Sequence, residues 1–172
     1  LGLNARTNLY YLETTDMGRT WRTVDGRPAP VPVTRPEHPA LVHDYRSEGL
    51  LVYLKALEFD HTGRPVILFL TSRGYEPGPK NDPRWWRIAR WTGDRWEIRE
   101  LFTSDHNYDF GSLYIERGGV WRIIAPTDPG PQPYCTGGEM VMWISRDEGR
   151  TWRRARSLTH NSTRNHTYAR KP

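Results

Sequence analysis

The sequence predicts an all-β chain, a fragment of about three blades of a β-propeller built from four-stranded antiparallel blades. Three observations predict it. Short strand signals alternate with Gly- and Pro-containing turns, and these breakers interrupt every candidate helix window. An eight-residue motif occurs twice, at 14–21 and 145–152, and both copies fit [Ser/Thr]-x-Asp-x-Gly-x-Thr-Trp. A His-x-Tyr triplet recurs at His43–Tyr45, His106–Tyr108 and His166–Tyr168, roughly 60 residues apart each time.

Taken in order, 1–28 is predicted as the end of one blade. A strand at 9–12 leads into the first motif, with Asp16, Gly18 and Trp21, and a second strand follows at 22–24. Asp accepts backbone N–H groups across such a turn, Gly takes the left-handed conformation, and Trp packs on the sheet. The second blade spans 43–103, with strands at 50–59 and 64–71 around an Asp60–Gly63 turn, and at 87–91 and 97–101. A damaged third motif at 91–96 joins the last two. The third blade spans 105–160, with strands at 112–116 and 120–125, a strand at 139–144, and the second motif, with Asp147, Gly149 and Trp152. Residues 161–172 begin the next blade. Fewer than three blades in 172 residues, with no initiator Met, reads as a piece of a larger protein.

In each blade the Asp turns join the third and fourth strands, so they share a face with the first hairpins. The His-x-Tyr triplets lie between blades, before an innermost strand, and the Pro/Gly-rich loops 72–84 and 126–138 fall on the same opposite face. That face is the predicted site. It carries His106, Tyr108, His166, Tyr168, Arg164 and Arg170 as candidate catalytic residues. His43, Tyr45, Tyr75, Trp85, Gln132, Tyr134 and Glu139 are candidate substrate contacts. The bland alternative is that each triplet is a packing device, its Tyr between blades and its His on a backbone carbonyl. Trp85 with Trp86 at a strand entry is more often blade packing.

Composition excludes several classes. Eight Trp, 9 Tyr and 4 Phe supply the apolar area that disordered chains lack. No apolar run is long enough to span a membrane as a helix. The net charge is +5 and only Lys55, Lys80 and Lys171 are lysines among 25 cationic residues. An Arg excess suits bidentate binding of carboxylate or sulfate, while the lack of a basic block disfavours nucleic acid. Cys135 is the single cysteine, so no Cys-based metal cluster is expected. No metal or other cofactor is expected, with a structural calcium ion left open.

The two octapeptides are identified as the Asp-box, or BNR-repeat, signature of the sialidase-like propeller superfamily. The stretches His106–Asp109, Pro129–Tyr134, Gly137–Glu139 and Asn165–Tyr168 resemble one branch of it. That branch groups seven-bladed propeller polysaccharide lyases (ulvan-lyase-like) with related rhamnose–glucuronate-cleaving enzymes. The resemblance implies structural Asp-boxes away from the active face, and His and Tyr near the channel mouth with an Arg neutralising a uronate carboxylate. It also implies a secreted or periplasmic protein and an acidic polysaccharide or oligosaccharide as partner. β-Elimination needs a base, an acid and a cation for the enolate-like intermediate, which this set of His, Tyr and Arg can supply. Hydrolysis instead needs two carboxylates across the scissile bond. Asp44, Asp105, Asp109, Asp128 and Glu139 keep that route open, although no Arg-Ile-Pro motif of a true sialidase occurs. A non-catalytic glycan-binding propeller is the third reading.

Overall fold

The run Val66 to Leu70 has no polar face, so a strand built from it must be covered on both sides. A computed structural model, which describes residues 4–170, shows how this is done. Its strands are β1 (Leu9–Tyr10), β2 (Leu41–His43), β3 (Leu51–Phe59), β4 (Pro65–Ser72), β5 (Arg84–Trp91), β6 (Trp96–Ser104), β7 (Ser112–Ile115), β8 (Trp121–Asp128), β9 (Glu139–Ser145) and β10 (Arg153–Ser157). They form two four-stranded sheets, β3-β4-β5-β6 and β7-β8-β9-β10, and a β1-β2 pair. Neighbours within each sheet are antiparallel. The only helical element among the described residues is one 3-10 turn, Pro79–Asn81. The chain is a partial β-propeller.

Strand β4 is buried at every position. Val66, Leu68 and Leu70 enter a cluster with Trp86, Ile88, Leu113, Trp121 and Ile123, which seals the two large sheets together. Ile67 and Phe69 point the other way, into a cluster with Leu9, Tyr11 and Tyr45. The period of two divides one continuous apolar run between two interfaces. Strands β3 and β7, the first of each sheet, lie side by side.

The two Asp turns superpose residue for residue in their bonding. Thr20 N–H donates to Asp16 Oδ1 at 2.9 Å and Thr151 N–H to Asp147 Oδ1 at 2.9 Å. The hydroxyls of Thr20 and Thr151 each donate to the second carboxylate oxygen at 2.6 Å. Trp21 and Trp152 donate their indole N–H to the carbonyls of Gly18 and Gly149, at 3.2 and 3.1 Å. The threonine bonds hold both Asp carboxyls down to about 2. Gly149 is required twice over: its φ is +80°, and a Cβ there would lie 2.7 Å from the Trp121 ring.

The strands expected around the first turn are largely absent. Instead of strands at 9–12 and 22–24, β1 has two residues and Glu13 and Arg22 form a single bridge. The Asp25–Gly26 turn reverses the chain at once, with Thr23 N–H bonded to Arg27 O at 2.9 Å, so Arg22 also bridges Pro28.

Contacts separate two faces. On one, Arg90 at the end of β5 bonds Glu148 of the second Asp turn at 2.7 Å and lies 3.9 Å from Asp60 of the β3–β4 turn. On the other, the long loops meet: Asn107 donates to Gly74 O at 3.2 Å, and Tyr134 N–H donates to Asp105 at 3.0 Å.

Candidate functional site

The site is built on the loop 105–111, between β6 and β7. His106 is 3% exposed. Its Nδ1 lies 2.6 Å from Asp105 and its Nε2 3.2 Å from Asp109. Burial alone would lower its pKa, but hydrogen bonding and charge from both carboxylates outweigh this and raise it to about 9. His106 is therefore an enclosed imidazolium at neutral pH, with both ring nitrogens turned to acids.

Lys55 completes the cluster. A β-bulge between Leu54 and Ala56 interrupts the register of β3, and bulges re-aim side chains. The Lys55 ammonium donates to the carbonyls of Asn107 at 2.8 Å and Asp109 at 2.5 Å. It sits 3.7 Å from the Asp109 carboxylate, with both side chains almost fully buried, and 5.3 Å from the Trp86 ring. Burial pushes its pKa down against the opposing pull of Asp109. Neither Asp109 oxygen has a hydrogen-bond donor in good geometry, so the two cations carry its compensation.

Tyr108 is displayed by this cluster. Its ring is exposed, edge-on to Tyr53 at 5.4 Å, and its hydroxyl donates to Asn4 at 3.2 Å. The Arg6 guanidinium lies 5.5 Å from the ring centroids of both Tyr53 and Tyr108. Burial raises the pKa of Tyr53 well above the usual phenol range. Arg6, Tyr53, Tyr108 and Phe110 help to line an open cavity of about 640 Å³. A second cavity, of about 440 Å³, is lined by Lys55, Glu58, Phe110, Tyr168 and Arg170 among others.

His166 lies in different surroundings. It is half-buried, with Nε2 3.0 Å from Ser162 Oγ. Ser162 donates that hydroxyl to Glu139 at 2.9 Å and its N–H at 2.7 Å. Its single proton is thereby committed, so His166 must present Nε2–H to it. The Thr159 hydroxyl and Ser162 hold the Glu139 carboxyl below its ordinary range. Tyr168 is exposed and stacks obliquely on Phe110 at 5.0 Å.

The remaining expected residues divide. Arg170 reaches the second cavity, whereas Arg164 is exposed and lines neither cavity. Tyr45 is 1% exposed and packs on Phe69 at 5.7 Å, so its ring is core and is not offered to a ligand. His43 bonds Glu48 at 2.5 Å. Trp85 is half-buried on β5, and Tyr75 is exposed on the loop before it. Gln132 is tied to Asn165 by bonds in both directions, of 3.1, 2.8 and 2.9 Å. Tyr134, with φ +60°, is held by its N–H on Asp105. The carboxylates that kept hydrolysis open each have a protein partner: Asp105 and Asp109 hold His106, Asp128 pairs with Arg154, Asp44 accepts from Ser47 N–H, and Glu139 serves Ser162. Among the described residues no group of three or more His, Cys, Asp or Glu gathers as metal ligands.

Sequence reasoning missed Arg6, Tyr53, Lys55 and Phe110. Lys55 had a signal, as the one cation in β3. Arg6 had none, since its neighbours Tyr53 and Tyr108 are distant in sequence.

Sheets stacked face to face, with Asp-anchored turns on one face and a His, Tyr and Arg loop cluster on the other, define a partial β-propeller. The chain belongs to the BNR repeat-containing family, whose pattern matches residues 2–104. No curated protein matches it. Two solved structures of a polysaccharide lyase, described as a PL25 ulvan lyase, share the fold. Each is 19% identical with a TM-score of 0.63, over 89% of this chain and 34% of that chain; one is bound to -[GlcA(1-4)Rha3S]-. The chain thus spans about a third of the length of the solved structures it matches. No helix among the described residues is long and apolar enough to cross a membrane.

Proposed function

We propose that this chain forms part of a carbohydrate-active propeller that cleaves an acidic, uronate-containing polysaccharide by β-elimination. The observation that carries the reading is the meeting of Arg6 and Tyr108 at the wall of the 640 Å³ cavity. Arg6 balances the substrate carboxylate as charge moves onto it. Tyr108 is the proton-transfer group. It carries the proton alpha to the carboxylate across to the leaving oxygen, as the C–O bond at the β carbon breaks and the double bond forms. His106 is the strut beneath Tyr108 in this reading, not the base, because its imidazolium is enclosed. The two four-stranded sheets are taken as the blades at 43–103 and 105–160. The uronate bound in one of the lyase structures supports the substrate class.

The test is ultraviolet absorbance of an unsaturated product on incubation with uronate-containing glycans. Tyr108→Phe should slow its appearance by about a hundredfold or more, the scale of general acid–base catalysis. Reducing ends formed without that absorbance would turn the assignment to hydrolysis. The locking of His106 between two acids favours a second reading, a glycan-binding propeller without chemistry, for which the glycan would bind and no such absorbance would appear.

A further inference from the structure

The two cavities abut. Phe110 lines both, and β3 supplies Val52, Tyr53 and Leu54 to the first and the next residues, 55–58, to the second. At the rise of a strand, residues 52–58 cover about 20 Å, the length of several sugar rings. Three exposed rings, Tyr108, Phe110 and Tyr168, follow one another along this line, and flat apolar rings are suited to the apolar faces of sugars. Arg6 stands in the first cavity and Arg170 in the second. The one carboxylate lining either cavity, that of Glu58, already has a partner within the protein.

We propose that the two cavities are one groove that holds an acidic oligosaccharide of several units across Phe110, with Arg6 and Arg170 pairing with anionic groups at its two ends. This rests on the reading of the site as uronate-binding and adds a length requirement and a residue to it. Phe110 is a specificity-determining residue: it carries the chain from one cavity to the next.

The experiment is calorimetric titration of the purified protein with a uronate-containing disaccharide, the corresponding hexasaccharide, and a neutral cello-hexasaccharide. The acidic hexasaccharide should bind about tenfold more tightly than the disaccharide and the neutral chain. Phe110→Ala should bring that length ratio close to unity, with circular dichroism unchanged because the ring is exposed. Tyr168→Ala, on the far side of Phe110, should reduce the ratio as well. Equal affinity for both acidic lengths, an unaltered ratio in Phe110→Ala, or equal binding of the neutral chain would each overturn the groove and leave the uronate site standing. Failure of both acidic ligands to bind would overturn the groove and the uronate reading together.

Discussion

His106 and His166 begin the same triplet, yet one is a buried ion between two acids and the other a half-buried ring bonded to a serine hydroxyl. Both follow the last strand of a sheet and both lie on the loop face. The neighbours differ. His106 stands between Asp105 and Asp109, with Lys55 pushed up from β3 behind it. His166 stands between Asn165 and Thr167, and the carboxylate near it, Glu139, shares the Ser162 hydroxyl with it. The triplet sets where a histidine sits in the propeller, while the flanking acids set what it can do.

The sharpest way to break this contrast is to remove the acid that the buried cations share. Asp109→Ala would leave Lys55 and His106 without compensation and should cost about 3–5 kcal/mol in denaturant unfolding. His166→Ala, losing one partly exposed hydrogen bond, should cost about 1 kcal/mol. Equal losses would mean that the two triplets are equivalent.

A pH titration of stability comes next. The folded pKa of His106 lies above its ordinary 6.5, at about 9, so its contribution is full below 6.5 and is lost as the pH rises through 9. The loss should be on the order of 3 kcal/mol, and His106→Gln should flatten the curve over that interval.

Smaller effects test the opposite face. Asp147→Ala removes two threonine bonds and should lower Tm by several degrees, without changing glycan binding. The depressed carboxyls of Asp16 and Asp147 stabilise the fold above about 3.8 and lose that contribution as the pH falls through about 2. An acid scan should show that limb unchanged in His106→Gln. Smallest of all, Ser162→Ala should move Tm by a degree or two, read by thermal unfolding.

The fold was legible because its devices are local. The Asp turns declare themselves within eight residues, and Asp16 and Asp147 each accept the same pair of threonine bonds. The alternation in β4 was visible as an apolar run, although which residues faced which cluster depends on neighbours. The site was legible only in part. Tyr108 and Tyr168 were named from their triplets, and both line cavities. Asp105 and Asp109, which raise the pKa of His106, stand beside it in the sequence, but Lys55 arrives from half a hundred residues away through a bulge. Tyr45 was misplaced for a similar reason: its triplet resembles the others, but Phe69 draws its ring into the core. Arg164 and Gln132 lie on the loops and outside the two cavities, because position on a loop does not fix direction.

The contact of Arg90 with Glu148 has a consequence for anyone who would cut or splice this molecule. The Asp turn of the second sheet lends its acid to the first, where Arg90 also approaches Asp60. A module excised at the loops would leave that arginine behind and carry its acid away. Units traded between propellers of this kind should therefore be chosen by whether the incoming turn carries an acid in the place of Glu148, and shuffled libraries can be sorted on that single position before any is expressed.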